Sequence, residues 1–139
     1  MLYQSIDHPA ISCQDVAAQV NWYCQHLGMK LLYSDGATPA TVLLGYGQST
    51  GDGPMIELMP VRDPGPDPDS FARTQPGIRH LALRVGDFDE AYRRLRDVGV
   101  TFLFEPVVAV GGGKVVSFRD PEGNELQIVQ RNEKSKGMT

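Results

Sequence analysis

One strand-then-helix unit occurs twice in this chain, and no other feature constrains the fold as much. Residues 5–23, "SIDHPAISCQDVAAQVNWY", align with residues 77–95, "GIRHLALRVGDFDEAYRRL". At an offset of 72 residues Ile6 falls on Ile78, His8 on His80, Ala10 on Ala82, Ile11 on Leu83 and Asp15 on Asp87. A long-period repeat is read before any single motif, because it marks duplicated supersecondary units.

In each copy an apolar alternation predicts a strand, over residues 6–13 and 78–85. Asp15 and Asp87 stand where a helix N-cap is needed, and Glu90 three residues after Asp87 completes a capping-box pattern. Val16, Val20, Tyr23 and Leu27 form the apolar stripe of the first helix; Phe88, Tyr92, Leu95 and Val98 form that of the second. Gly28 and Gly99 are placed to end them.

Three β-prone runs follow each helix: "KLLYS", "ATVLLGY" and "MIELM" in the first copy, "TFLFEPVV", "KVVSF" and "ELQIV" in the second. In the third runs, "GYGQ" matches "SFRD" at the same offset. "DPEGN" between the last two runs reads as a β-turn. The expected architecture is α+β: two tandem βαβββ modules, 5–59 and 78–130, whose curved sheets form a partly closed half-barrel. A proline- and aspartate-rich linker spans 60–77, and 131–139 is a polar tail.

A formal charge of -4 and the lack of a Lys/Arg cluster argue against a nucleic-acid partner. No run of 18 apolar residues is present, so no membrane helix is expected. "MLYQSIDHPAIS" lacks the basic start and apolar run of a secretory signal. Cys13 and Cys24 make no disulfide framework and read as reduced thiols. The expectation is a cytoplasmic domain acting on a small molecule.

Strand parity assigns faces. His80, Ala82 and Arg84 point away from the helix side, as do His8, Ala10 and Ser12. In the fourth strands Glu57 lies opposite in direction to Ile56 and Leu58, and Glu125 and Gln127 to Leu126 and Ile128. Each copy thus offers one His and one Glu off its helix-packing face. If the two sheets meet, His8, Glu57, His80 and Glu125 converge as ligands for one divalent metal such as Zn, Ni, Co, Mn or Fe. Four such ligands leave positions open for substrate.

The segments "DHPAI", "WYCQHLGMKLLY", "MIELM", "IRHLALRV" and "DPEGNELQI" resemble the vicinal oxygen chelate superfamily over residues 6–130. That superfamily includes glyoxalase I, methylmalonyl-CoA epimerase, extradiol dioxygenases and the fosfomycin and bleomycin resistance proteins. The resemblance implies paired βαβββ modules, a homodimer and the ligand set His8, Glu57, His80 and Glu125. A fourth ligand at Glu57 resembles glyoxalase I and implies a lyase or isomerase working through a metal-stabilised enediolate. Glu125 is then the first candidate for the proton-transferring base and Glu57 the second. Alternatives within the resemblance are a non-catalytic drug-binding protein of the bleomycin-resistance type and an Fe(II) extradiol dioxygenase.

Ser12 stands where glyoxalase I commonly has Arg, and Val61 where it has Asn, which counts against a glutathione substrate. Arg84, the repeat-mate of Ser12, is the candidate for binding a substrate carboxylate or phosphate. "GGGK", residues 111–114, reads as a hairpin loop, with a flap carrying Lys114 to the substrate as the functional alternative. Phe104 and Phe118 read as core, and His26 as a surface residue at a helix C-terminus.

Overall fold

The computed structural model describes residues 2–61 and 76–132. Most of the expected linker (62–75) and tail (133–139) lies outside the described residues. The chain divides into two compact units, Met1–Gly65 and Pro66–Thr139. The first contains β1 (Ala10–Cys13), α1 (Val16–Leu27), β2 (Lys30–Ser34), β3 (Val42–Gly45) and β4 (Met55–Pro60). The second contains β5 (Leu81–Arg84), α2 (Phe88–Asp97), β6 (Val107–Val108), β7 (Lys114–Arg119) and β8 (Glu125–Gln130).

Each unit is a four-stranded mixed sheet, ordered β1-β4-β3-β2 in one and β5-β8-β7-β6 in the other. The first strand pairs in parallel with the fourth, and the remaining neighbours are antiparallel. Parallel neighbours need a crossover, and the helix with its two following strands supplies it.

Local chemistry explains the helices. The Asp15 carboxylate accepts from Ala18 N, and Gly28 ends α1 in the left-handed region at φ 70°. The Asp87 carboxylate accepts from Glu90 N. Glu90 makes only half of the expected capping box, because its carboxylate turns to Arg93 and Arg94. Those guanidinium donors hold Glu90 below the usual carboxylate range. Val98 departs from its expected stripe and is 46% exposed, whereas Gln19, outside the expected stripe of α1, is buried.

α1 lies against β4 and α2 against β8. Tyr23, Leu44, Leu58 and Cys13 are fully enclosed in the first unit; Val116, Phe118, Leu126 and Ile128 are enclosed in the second. Each such side chain gains roughly 1.5–3 kcal/mol from burial. Phe118 meets Phe102 edge-on, and Phe102 tilts onto Tyr92, so Phe118 is core as its sequence context implies. His26 meets Trp22 near the end of α1. Neither Cys13 nor Cys24 is in a disulfide, and burial pushes the Cys24 thiol up.

The "GGGK" segment is the turn between β6 and β7. Ala109 N donates to Gly113 O and Gly112 N to Ala109 O. Lys114 does not serve as a flap to the site face: its Nζ lies 3.4 Å from Asp89 and 5.4 Å above the Phe88 ring, on the α2 side.

The β7–β8 turn is organised by one carboxylate. Asp120, 5% exposed, accepts from Glu122 N, Asn124 N and Asn124 Nδ2. Hydrogen bonds to a charged acceptor are each worth about 1.5–3 kcal/mol, so Asp120→Ala should destabilise the protein by at least about 2 kcal/mol. Chemical denaturation measures this, and a loss below about 0.5 kcal/mol would rule out that role for the turn.

Candidate metal-binding faces

Because the first and fourth strands are parallel neighbours, residues far apart in sequence share one face of each sheet. In the first unit Ala10 sits opposite Glu57. One pleat earlier, His8 Nε2 lies 3.5 Å from Glu57 Oε2. His8 Nδ1 lies 2.7 Å from Asp7 Oδ2. An ionised carboxylate only accepts, so in the neutral ring Nδ1 carries the hydrogen and Nε2 presents its lone pair. Nε2 and the Glu57 carboxylate are then two electron-pair donors side by side, an arrangement a cation relieves. A carboxylate behind a ligating imidazole is also the usual support for a metal-bound His.

In the second unit His80 Nδ1 lies 4.0 Å from Glu125 Oε2. The Glu125 side chain is 9% exposed, against 25% for Glu57. Ser117 Oγ, wholly buried, donates to Glu125 Oε2 at 2.8 Å. Gln127 Nε2 in turn donates to Ser117 Oγ at 3.0 Å. Arg84 is exposed on the face of Gln127, opposite Val129, with no hydrogen bond or ion pair among the described residues.

The register alters one equivalence read from the sequence. His8 precedes Ala10 by two residues and His80 precedes Ala82 by two, so the two alanines are matched positions. Ala10 faces Glu57, but Ala82 faces Gln127 rather than Glu125. The strand-edge mate of Glu57 is therefore Gln127, and that of Glu125 is Met55. The third strands shift too: Leu43 faces Glu57 as Ser117 faces Gln127, so Ser117 matches Leu43 and not Gly45. The hairpins joining third to fourth strands are also unequal, nine residues between the paired Gly45 and Met55 and five between Arg119 and Glu125, which turns the third-strand shift into the opposite shift on the fourth.

Each unit, taken by itself, brings no group of three or more His, Cys, Asp or Glu together among the described residues as a metal cage. Each instead carries an imidazole and oxygen donors on one open face. Nitrogen and oxygen donors in this ratio fit a borderline divalent ion. Asp7 and Ser117 are not among the candidate residues of the sequence. Asp7 beside His8 was a readable signal, whereas Ser117 reaches Glu125 only through the β7–β8 register.

Comparison with known proteins places these faces in context. The family model described as Glyoxalase/Bleomycin resistance protein/Dioxygenase superfamily matches residues 5–128. The chain is 30% identical over 132 residues to a probable lactoylglutathione lyase of Synechocystis, covering 91% of this chain and 95% of the relative. Its fold is similar to that of the trypanothione-dependent glyoxalase I of Leishmania major, with TM-score 0.70 at 22% identity over 98% of this chain and 91% of the other. It is similarly close to TnmS3, an antibiotic-binding protein from Streptomyces, with TM-score 0.68 at 21% identity over 95% and 99%. No helix among the described residues is long and apolar enough to cross a membrane.

Proposed function

The chain belongs to the Glyoxalase/Bleomycin resistance protein/Dioxygenase superfamily, and we propose that within it the protein is a metal-dependent lyase or isomerase of the glyoxalase-like type. Its substrate is a small molecule with adjacent oxygens. The observation that carries this reading is the Asp7–His8–Glu57 arrangement, with the ring nitrogen facing Glu57 at 3.5 Å and its far side held at 2.7 Å. His8, Glu57, His80 and an oxygen donor from β8 would hold the ion, one pair from each unit, within one chain or across a homodimer. When bound, a divalent ion (Ni, Zn, Co, Mn or Fe) supplies Lewis-acid stabilisation for negative charge developing on the substrate oxygens.

The side chains divide the remaining work. A carboxylate beside the site takes a proton from one carbon and returns it to the neighbouring carbon. Glu57 suits this better than Glu125, being more exposed and free of the hydroxyl clamp that Ser117 places on Glu125. Arg84, exposed and without a partner among the described residues, would bind a carboxylate or phosphate on the substrate. Leu2, Tyr3 and Ile6, each more than 80% exposed, offer apolar surface that a second copy can cover. A reducing cytoplasm suits two cysteines that form no disulfide.

The test is elemental analysis of the purified protein beside His8→Ala and His80→Ala. About one divalent ion per chain, lost in either variant, is expected, and it directs a substrate screen to hemithioacetals and 2-hydroxy carbonyls. No metal after reconstitution with each of the five ions would overturn the reading. A binding module without catalysis is the second reading, favoured by the amide at Gln127 where the matching position holds Glu57.

A further inference from the structure

We propose that the second unit carries a further small-molecule site on its α2 side, which takes a small zwitterion such as a free dipeptide. The ligand carboxylate meets Lys114 and Arg131, and its ammonium meets Asp87 and Asp89. These residues line a cavity of about 560 Å³ where the start of α2 meets the β6–β7 turn and the end of β8. Lys114 faces Gln130 in register, and Gln130 shares the parity of Leu126 and Ile128. The cavity therefore opens on the helix side of the sheet, away from His80 and Glu125, and is independent of the metal-dependent reading. Its volume is within the range of small-molecule sites.

Two separate observations carry the proposal. The first is the layout of charge. Both cations come from one wall, Lys114 at the start of β7 and Arg131 just past β8, and both acids come from the start of α2. Arg131 is anchored by one nitrogen: Nη1 donates to Val110 O at 2.5 Å and to Gly112 O at 3.0 Å. Its Nε and Nη2 have no partner among the described residues, so they present a fork to a carboxylate. Asp87 Oδ1 accepts from Glu90 N, and Oδ2 has no partner among the described residues. Lys114 and Asp89 share a single 3.4 Å contact between side chains 52% and 87% exposed, a pair that opens at little cost.

The donors at the start of α2 are largely spent, Phe88 N on Gln130 Oε1 at 2.7 Å and Glu90 N on Asp87. A lone anion thus gains little from the helix end and meets two carboxylates. A lone cation meets two cations. A molecule that bears both charges satisfies both walls.

The second observation is the repeat. The first unit forms a groove at the same place, between the start of α1 and the β2–β3 loop, with Ala17 and Ala40 in its lining. The helix offset of 72 residues matches Asp89 to Ala17, and the strand registers match Lys114 to Ala40 and Arg131 to Val61. The same fold forms in the first unit without these three charges. Their convergence on one opening therefore points to a ligand and not to stability.

Titration of the isotope-labelled full chain with glycylglycine, followed by backbone amide NMR, tests the site. Saturable shifts are expected at Gly86, Asp87, Gly113 and Lys114. N-Acetylglycine, which offers only the carboxylate, and glycinamide, which offers only the ammonium, should each bind at least about tenfold more weakly, the worth of one charge-assisted bond. Lys114→Ala and Asp89→Ala, which copy the first unit, should each weaken glycylglycine binding by at least about tenfold and leave the denaturant midpoint unchanged. N-Acetylglycine that binds as tightly as glycylglycine would make this an anion site and overturn the zwitterion assignment. No saturable shift with any of the three probes overturns the site. A lowered midpoint in both variants would show that the charges serve stability, and this also overturns the proposal.

Discussion

Glu57→Gln should lower turnover of the metal-loaded protein by about two to four orders of magnitude, the usual contribution of a positioned general base. The substitution keeps an oxygen at the same place, so metal content should remain near that of wild type while kcat falls. KM should change little, because the lost function belongs to the transition state and not to substrate binding. Glu125→Gln should cost no more than about tenfold, since it alters a carboxylate clamped by Ser117 and not the proton acceptor. The opposite ranking of the two variants would make Glu125 the base. The comparison is informative because the two carboxylates differ in their surroundings: Glu57 meets His8 at 3.5 Å, whereas Glu125 is clamped by a buried hydroxyl.

Gly113→Ala should destabilise the protein by roughly 2–5 kcal/mol, combining backbone strain with overpacking. Gly113 has φ of +100°, and an added Cβ would overlap the carbonyl oxygen of Gln130 and crowd Arg131 Cα at 3.1 Å. Both are backbone neighbours and cannot swing aside. Gly111 is the control: its φ of +87° is also left-handed, but its Cβ would meet only the tip of the Arg131 side chain, at 3.3 Å, and no backbone. Gly111→Ala should cost only about 1–2 kcal/mol. Denaturant midpoints of the two variants measure the difference. Equal losses would mean that strain, and not the close approach to β8, is what Gly113 relieves.

The features that local chemistry governs were legible in the sequence. The "KLLYS" run is β2, Lys30–Ser34, and Asp15, Asp87 and Gly28 cap their helices as expected. The first strands are shorter than the alternation predicts: residues 6–13 and 78–85 reduce to Ala10–Cys13 and Leu81–Arg84. Alternation continues through Ile6 and Ile78, but these side chains are 81% and 93% exposed, and no neighbouring strand extends beside them in their own sheet. "TFLFEPVV" likewise shrinks to β6, Val107–Val108, with Phe102 making an isolated bridge to Phe118. Propensity marks a segment as able to pair, while pairing itself needs a partner at the right register.

For the candidate faces, parity alone identified His8, Glu57, His80, Arg84, Glu125 and Gln127 as pointing off the helix side, because the period of two is a property of the strand backbone. Parity repeats every second residue, however, so it could not distinguish Glu125 from Gln127. The copies cannot be aligned through to their ends by a single offset, since the two hairpins differ by four residues.

The amino-acid sequence by itself determined the duplication, the order of strands and helices, and the histidine in each first strand. These are written in local alternation, caps and repeat. Only the tertiary structure decided that Ala82 meets Gln127, that Ser117 reaches Glu125, and that Asp7 holds His8 from behind. The physical reason is that register is set by hydrogen bonds between strands distant in the chain, and a slip of two residues leaves every local pattern unchanged while replacing the side chain at the site.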